Sequence, residues 1–442
     1  MKNILLISYF FAPENAIGAI RFSKFYKYLN KKGYYVKVIS AEKYNKYDNV
    51  LDEELVNESN VFRIMDSKIY DKIFFSLSKK SNRIAKKHSI LKSASKKNFR
   101  SWLYMKARTL YSNCIRLLFD FIVYIETVKK IKNDPEILRD IDVVISSYGP
   151  LCNHRIAKWI SKKKRIKWIA DFRDGMKFGF FSQNNIFITN LIEKYICKKA
   201  DKIVIVADGC ISYNNAEKFK TKISKINNGF DRDDYKNVFY NHNKDKLSIT
   251  YTGAIITKKD RDATLLFLAI YELALENKID LNKIVFNYAG NDFNLILAQA
   301  SQYGLESIIV NRGFLKREES IQLQKSSDIL LHLTAYNVLH VDLLSGKFFE
   351  YLAMDKPIIS IVVGRYINSG IKKIIHECKV GLCCEEKSFN NTDFFLMKEF
   401  LLKVYNDKFN LEKMDFNPSK TAINRFDYFE LTNKLIDVIE SI

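Results

Sequence analysis

The stretch Asp342-Leu-Leu-Ser-Gly-Lys-Phe-Phe-Glu-Tyr-Leu-Ala-Met-Asp-Lys-Pro357 decides how this chain is read. It lies between two short apolar runs, Asp328-Ile-Leu-Leu-His-Leu-Thr334 and Pro357-Ile-Ile-Ser-Ile-Val-Val363, the second closed by Gly364. Runs of that length bounded by turn residues read as buried strands. Between them Phe348, Phe349, Leu352 and Ala353 recur at helical spacing, which predicts a short helix over 346–354. A strand, loop, helix, strand order places the loop at the carboxyl end of a parallel sheet. Backbone N–H groups at such a helix start attract phosphate. Asp342 and Glu350 stand eight residues apart across this turn, so one carboxylate can flank a bound group from the loop and the other from the helix.

Working outward, 442 residues are too many for one core and suit two domains of about 200 residues each. Lys and Arg number 72 against 50 Asp and Glu, a formal charge of +22. Such a field attracts nucleic acid, anionic lipid or phosphorylated substrates. No nucleic-acid recognition motif accompanies it, and the basic residues concentrate in one segment, so nucleic acid is not an expected partner. The seven Cys are odd in number and form no C-x-x-C pair, which fits free thiols in a reducing cytosol. The six His lack metal-ligand spacing, so no metal site is expected. The N-terminus lacks the apolar core and cleavage site of a signal peptide. No uncharged apolar run reaches the ~18 residues of a membrane span.

In the first half, Asn3–Tyr9 reads as a central strand, residues 10–18 as a loop, 19–32 as a helix ended by Gly33, and 35–40 as the next strand. This order predicts a Rossmann-like half. The absence of G-x-G-x-x-G argues against a dinucleotide cofactor. Residues 68–108 hold thirteen basic residues and one acid, Asp71, a net of +12. A long helix follows, with Leu103, Ala107, Leu110, Cys114, Leu117, Phe121, Ile125 and Val128 expected as its inward stripe. With Phe99, Trp102 and Tyr104 beside the charge, the segment reads as a dock for an anionic membrane surface. The bland alternative is a solvated excursion followed by a core helix. Further strands are expected at 141–147, 167–170 and 202–207; the second ends in Asp171-Phe-Arg-Asp174, where Arg173 and Asp174 would face a ligand crevice. Asp171 and Asp174 serve equally well as caps.

The polar segment 232–246 reads as a linker between a first domain, 1–231, and a second, 247–417, with residues 418–442 as a final helix. The second domain opens with the strand 247–252, then Gly253 and the polar run Thr257-Lys-Lys-Asp-Arg-Asp262. Lys259 and Arg261 are candidates to grip a phosphate; Arg261 and Asp262 could alternatively only cap the next helix. Strands near 284–289 and 307–310 alternate with helices near 293–303 and 318–325.

Taken together, these motifs resemble the retaining glycosyltransferases of the GT4 type. That family has the GT-B fold: two Rossmann-like α/β domains facing a cleft, with a C-terminal helix crossing back to the first. The signature is Glu, seven residues, Glu. Glu350 matches the second Glu, which the resemblance assigns to the nucleotide ribose, and Asp342 stands where the first, sugar-contacting Glu would be. Lys347 within Lys-Phe-Phe-Glu-Tyr-Leu-Ala is similar to a subgroup from bacterial surface-polysaccharide synthesis. Phe11-Ala-Pro-Glu-Asn-Ala-Ile-Gly-Ala-Ile-Arg21 resembles that subgroup's N-terminal loop, with Gly18 as its glycine, Asp171-Phe-Arg-Asp174 its later cluster, and Asn227-Asn-Gly-Phe-Asp231 its Pro-Asn-Gly-x-Asp. The family's Gly-Arg pair is here Gly253-Ala254, with Arg261 as a substitute, and Lys259 matches its phosphate Lys. His154 either stands in for a cleft His found in many relatives or is a satisfied core residue.

The resemblance implies transfer of a sugar from a nucleotide-sugar with retention and without a metal or other cofactor. Asp342, Lys259, Arg261, Arg173 and Asp174 would act on the reacting groups. Gly18, Gly253, Leu343, Leu344, Ser345, Gly346, Lys347 and Glu350 would hold the donor. The expected acceptor is a glycan, such as one linked to polyprenyl diphosphate, reached from the cytoplasm at the inner face of the membrane. Asp342 for Glu and Ala254 for Arg leave a second expectation, a GT-B-shaped binding protein with impaired catalysis.

Overall fold

The computed structural model describes residues 1–14, 17–41, 57–65, 99–176, 186–236, 238–255, 261–336, 344–364, 367–411 and 415–442. They form two compact units: Met1–Asn227 with Thr432–Ile442, and Asn228–Leu431. Each is built on one parallel sheet.

In the first unit the strands are β1 (Ile4–Ile7), β2 (Val36–Ala41), β3 (Val61–Met65), β4 (Val143–Ser147), β5 (Lys167–Phe172), β6 (Lys202–Ile205) and β7 (Ile223–Lys225). Their order is β3-β2-β1-β4-β5-β6-β7, and every pair is parallel. All residues of β1, β2 and β4 are buried, as strands covered on both faces require. The chain leaves β1 toward β2 and β3, then returns to β4 on the other side, so the order reverses between β1 and β4. Helices α1 (Ile17–Lys31), α2 (Phe99–Asn133), α3 (Cys152–Lys164), α4 (Ile186–Lys199) and α5 (Tyr213–Lys218) accompany this sheet.

The inward stripe of α2 differs from the expected one. Of the expected residues, Val128 is buried but Cys114, Phe121 and Ile125 are exposed; Phe119, Val123 and Ile131 are buried in their place. The seam also contains Asp120 and Thr127, both fully buried. Asp120 accepts from the Cys152 N–H and pairs with Arg155 at 3.2 Å; Thr127 donates to the Val123 carbonyl. Two buried polar side chains in the seam, each with at least one partner, break the apolar period and shift the apparent stripe toward solvent. The basic segment itself lies outside the described residues over 68–98, and of 99–108 only the helical backbone is described.

In the second unit the strands are β8 (Leu247–Thr252), β9 (Ile284–Ala289), β10 (Ile309–Gly313), β11 (Ile329–Tyr336), β12 (Ile358–Gly364) and β13 (Gly381–Glu385), in the order β10-β9-β8-β11-β12-β13. The helices are α6 (Thr264–Leu275), α7 (Phe293–Ala300), α8 (Arg317–Ser326), α9 (Gly346–Leu352), α10 (Gly370–Cys378), α11 (Phe394–Asn410), α12 (Lys420–Asn424) and α13 (Tyr428–Glu440). Alternate residues feed two cores. Ile329, Leu331, Leu333, Ile359 and Ile361 join α6, α7 and α11 on one face; Leu330, Ile358 and Val362 join α9, α10 and α12 on the other. Here the order reverses between β8 and β11.

The expected linker is part of this second unit. Arg232–Tyr235 forms a short 3-10 turn, Tyr235 is buried, and Asp234 pairs with Arg317 at 2.9 Å. A buried Tyr and an ion pair anchor a stretch whose polarity reads as solvated. The C-terminal helix crosses back as expected: α13 starts in the second unit, and its last turns belong to the first. There Lys2 Nζ donates to the Ile439 and Ile442 carbonyls at 2.7 Å, and Tyr34 Oη donates to Glu440 Oε1 at 2.9 Å. Among the described residues no helix is long and apolar enough to cross a membrane.

Candidate functional site

In an open parallel sheet, ligands bind outside the carboxyl ends of the strands where the order reverses. In the second unit that place is the end of β8 and β11. These strands pair only at Ile249–Ile329 and Thr250–Leu330. Beyond Thr250 they part, and the Thr252 N–H donates instead to Tyr351 Oη of α9 at 3.1 Å.

Helix α9 starts there because Ser345 caps it, its hydroxyl accepting from the Phe348 N–H at 3.3 Å, and because Phe348, Phe349, Tyr351 and Leu352 are buried. His332 of β11 holds the cap in place: Nε2 meets Ser345 Oγ at 3.0 Å and Nδ1 meets Ser360 Oγ at 3.0 Å. Burial, aided by the Arg261 and Lys347 charges, pushes the His332 pKa down to about 3, so the ring is neutral. A carbon placed on Gly346 would meet open space.

Glu350 lies one turn into α9, its side chain 15% exposed. Its carboxylate accepts from Gln324 Nε2 at 2.6 Å and Lys347 Nζ at 3.1 Å, and Arg317 Nη1 stands 3.9 Å away. Burial pushes its pKa up, but the Lys347 and Arg317 charges and the Gln324 hydrogen bond outweigh that and hold the carboxyl below its usual range. Glu350 is therefore ionised. Gln324, wholly buried, links it to Thr252 Oγ1 at 3.1 Å and so ties α8, α9 and the end of β8 together.

Beside these groups is a cavity of about 170 Å³ lined by Gly253, Ala254, Gly290, Asn291, Phe314 and Lys347, among others. Its wall brings two chain turns into backbone contact. A Cβ on Gly290 would run into the Gly253 carbonyl and lie 2.6 Å from Tyr288 Oη. Gly253 itself has φ +146, outside the range of most side-chain-bearing residues. Arg261 Nη1 donates to the Ala254 carbonyl, which brings its guanidinium to the residue that stands where the resembling family has Arg. Asp262 stands just before α6, whose N-cap is Ala263, and accepts from the Thr264 N–H at 2.8 Å. Gly253, Arg261, Leu344, Ser345, Gly346, Lys347 and Glu350 are thus described residues of this one unit, at or beside the strand ends. Lys259, Asp342 and Leu343 lie outside the described residues.

The first unit places its expected residues at its own switch point. The Arg173 guanidinium lies against Gly18 at the start of α1 and against Gly149 after β4, where Nη2 would be 2.9 Å from an added Cβ. Arg173 Nε donates to Asp174 Oδ2 at 3.0 Å. A second arginine closes the N-terminal loop motif, and the sequence assigned it no role. Arg21 is 2% exposed and pairs with Asp171 at 2.8 Å, and it donates to the Asn227 and Ile226 carbonyls at 2.9 and 3.0 Å. One side chain thereby joins α1 to the ends of β5 and β7. Asp171 is half of this ion pair, not a helix cap. His154 is a core residue: it is 1% exposed, Nδ1 bonds Ser146 Oγ at 2.7 Å, and burial pushes its pKa down to about 3. Arg317, Gln324, His332 and Tyr351 also escaped the sequence reading; each is an ordinary residue in a helix or strand pattern. Among the described residues no three His, Cys, Asp or Glu side chains form a cluster able to hold a metal ion.

No family model matches this sequence, and no curated protein does. Solved structures do match in fold over the whole chain. Sucrose-phosphate synthase from Thermosynechococcus elongatus is 12% identical with a TM-score of 0.55, covering 100% of this chain and 99% of its own. The lipopolysaccharide outer core galactosyltransferase WaaB is 14% identical with a TM-score of 0.54, covering 99% of both chains. Anabaena HepE in complex with UDP-glucose is 11% identical with a TM-score of 0.54, covering 100% of both. A UDP-N-acetylglucosamine 2-epimerase shares the architecture as well, at 11% identity and a TM-score of 0.53 over 99% of this chain and 95% of its own. The two parallel-sheet Rossmann-like units and the returning C-terminal helix are accordingly the GT-B architecture, which glycosyltransferases and nucleotide-sugar epimerases both use.

Proposed function

We propose that this chain is a retaining glycosyltransferase of the GT4 type, which moves a sugar from a nucleotide-sugar to a growing surface glycan. The observation that carries the reading is Glu350: an ionised, largely buried carboxylate on the short helix at the switch point, beside a small cavity. A carboxylate there accepts hydrogen bonds from both hydroxyls of a ribose. At about 170 Å³ the cavity is below the ~300–1,000 Å³ of sites for whole drug-sized ligands, and it suits one part of a donor. Lys259, Arg261 and the N–H groups over 343–346 would offset the charge that gathers on the departing diphosphate. Asp342 would meet the donor sugar, and Gly253 would let the backbone approach the phosphates. Cations can carry this stabilisation themselves, so the reading includes no metal. In the first unit Arg173, Asp174 and Gly18 would serve the acceptor side and the donor phosphates.

The proposed acceptor is a lipid-linked glycan, such as one on polyprenyl diphosphate, as in capsule, O-antigen or exopolysaccharide synthesis. The enzyme would then work in the cytoplasm at the inner face of the membrane, held there by the basic segment 68–108 with its charge of +12. A thermal-shift screen of nucleotide-sugars tests the donor half. Ligand at a hundred times its Kd stabilises by about 2.7 kcal/mol, an easily read change in Tm. One donor family should raise Tm, and Glu350→Gln should reduce the rise; a flat response to every nucleotide and nucleotide-sugar rejects the reading.

A further inference from the structure

The second unit has a larger cavity of about 410 Å³ elsewhere, lined by Arg232, Tyr240, Lys325, Met354, Asp355 and Lys356, among others. Its place in the fold separates it from the donor site. Lys325 and Lys356 immediately precede β11 and β12, so the cavity sits at the amino ends of strands whose carboxyl ends carry the residues above. Helix α9 lies between the two places, and its seven residues span about 10 Å.

The wall is chemically one-sided. Arg232, Lys236, Lys325 and Lys356 line it against one carboxylate, Asp355. Two of the four cations are already committed: Arg232 to Asp427 at 3.5 Å and Lys236 to Asp233 at 2.7 Å. Lys325 and Lys356 form no ion pair with any described carboxylate within 4.0 Å. Lysines near helix ends commonly bond the last carbonyls. These do not: Lys325 Nζ donates to the Tyr235 carbonyl, and Lys356 Nζ meets His242 Nε2 at 2.7 Å. Both ammonium groups instead stand over the ring of Tyr240, at 5.8 and 5.7 Å from its centroid. Two cations without a direct ion pair, converging on one aromatic ring at a concave surface, form a receptor for an anion.

We propose that this cavity binds a phosphoryl-bearing ligand, with the phosphoryl group between Lys325 and Lys356 and the rest of the ligand against Tyr240 and Met354. The cavity volume lies within the ~300–1,000 Å³ typical of small-molecule sites. The proposal does not rest on the donor reading, since it shares no residue with it.

Protection of lysines from acetylation, read by mass spectrometry on the unmodified protein, tests it without a variant. Inorganic pyrophosphate should protect Lys325 and Lys356 at least threefold, and leave the half-exposed Lys278 as reactive as before. Vesicles carrying phosphatidic acid form a parallel arm: protection there but not by soluble pyrophosphate assigns the phosphoryl group to a lipid headgroup, and the converse assigns it to a soluble ligand. Lys325→Gln with Lys356→Gln should weaken pyrophosphate binding by tenfold or more in calorimetry, while Arg261→Ala should leave that binding class in place. Absence of protection by either probe overturns the proposal. Wild-type pyrophosphate affinity in the folded double variant overturns it too.

Discussion

Replacing Glu350 by Gln removes a negative charge that Lys347 at 3.1 Å, Gln324 at 2.6 Å and Arg317 at 3.9 Å all engage. At an effective dielectric of 20, the Lys347 pair alone has a gross Coulomb energy of about 5 kcal/mol. Desolvation cancels much of that, and the 15% exposure of the side chain lets the freed cations rehydrate in part. The folded protein should therefore lose about 1–3 kcal/mol and remain folded. Ligand binding should suffer separately. A hydrogen bond to a charged acceptor contributes about 1.5–3 kcal/mol, or roughly ten- to 150-fold in Kd. Calorimetry with UDP and with uridine distinguishes where the loss falls. If Glu350 holds the ribose, the variant weakens both ligands by the same factor, because both carry the ribose. Arg261→Ala should weaken UDP alone, because uridine has no phosphate. Unchanged uridine and UDP affinity in folded Glu350→Gln refutes the ribose assignment. A loss confined to UDP refutes it as well and moves Glu350 to the phosphates.

Three other outcomes follow from the same reasoning. Asp342→Ala should be inactive and Asp342→Glu active in a transfer assay; an active Asp342→Ala shows that the first carboxylate does not serve the donor sugar. Asp120 makes stability pH-dependent: burial raises its pKa from 3.8 to about 7 against the opposing pull of Arg155. The native state keeps a proton that the unfolded chain has already lost, so stability should fall between about pH 4 and pH 7 by up to about 4 kcal/mol and level off above. Asp120→Asn should abolish that slope in urea melts, and parallel curves for variant and wild type contradict it. Reversing five lysines of 68–108 to Glu should abolish most sedimentation with anionic liposomes while leaving donor binding intact; equal sedimentation with neutral and anionic liposomes rules out the docking role.

The parts of the fold that were legible are those where one period dominates. Leu247–Thr252 and Ile284–Ala289 are central strands buried on both faces, and their expected limits coincide with the observed ones. Helix α9 was legible because Phe348, Phe349, Leu352 and Ala353 recur at helical spacing between two apolar runs. Other features were not. Val61–Met65 is an edge strand with a half-buried centre, too short and mixed to stand out. The buried face of α2 was misplaced because Asp120 and Thr127 find partners far along the chain or one turn back, which no local pattern encodes. The site divides in the same way. Glu350, Lys347 and Ser345 belong to one contiguous motif. Arg21, Arg317, Gln324 and His332 acquire their roles only through partners 13 to more than 200 residues away. A buried Gln on a helix or an Arg at a helix start looks like surface until the fold supplies its acceptor.

The central claim is sugar transfer from a nucleotide-sugar, and it is tested most directly by following a turned-over donor by proton NMR with a membrane extract or a lipid-linked glycan as acceptor. Release of a nucleoside diphosphate should be matched by one new glycosidic linkage, its anomeric configuration the same as in the donor, with both signals lost in Glu350→Gln. An inverted linkage contradicts retention. Conversion of the nucleotide-sugar to its epimer, with no diphosphate released, contradicts glycosyl transfer itself.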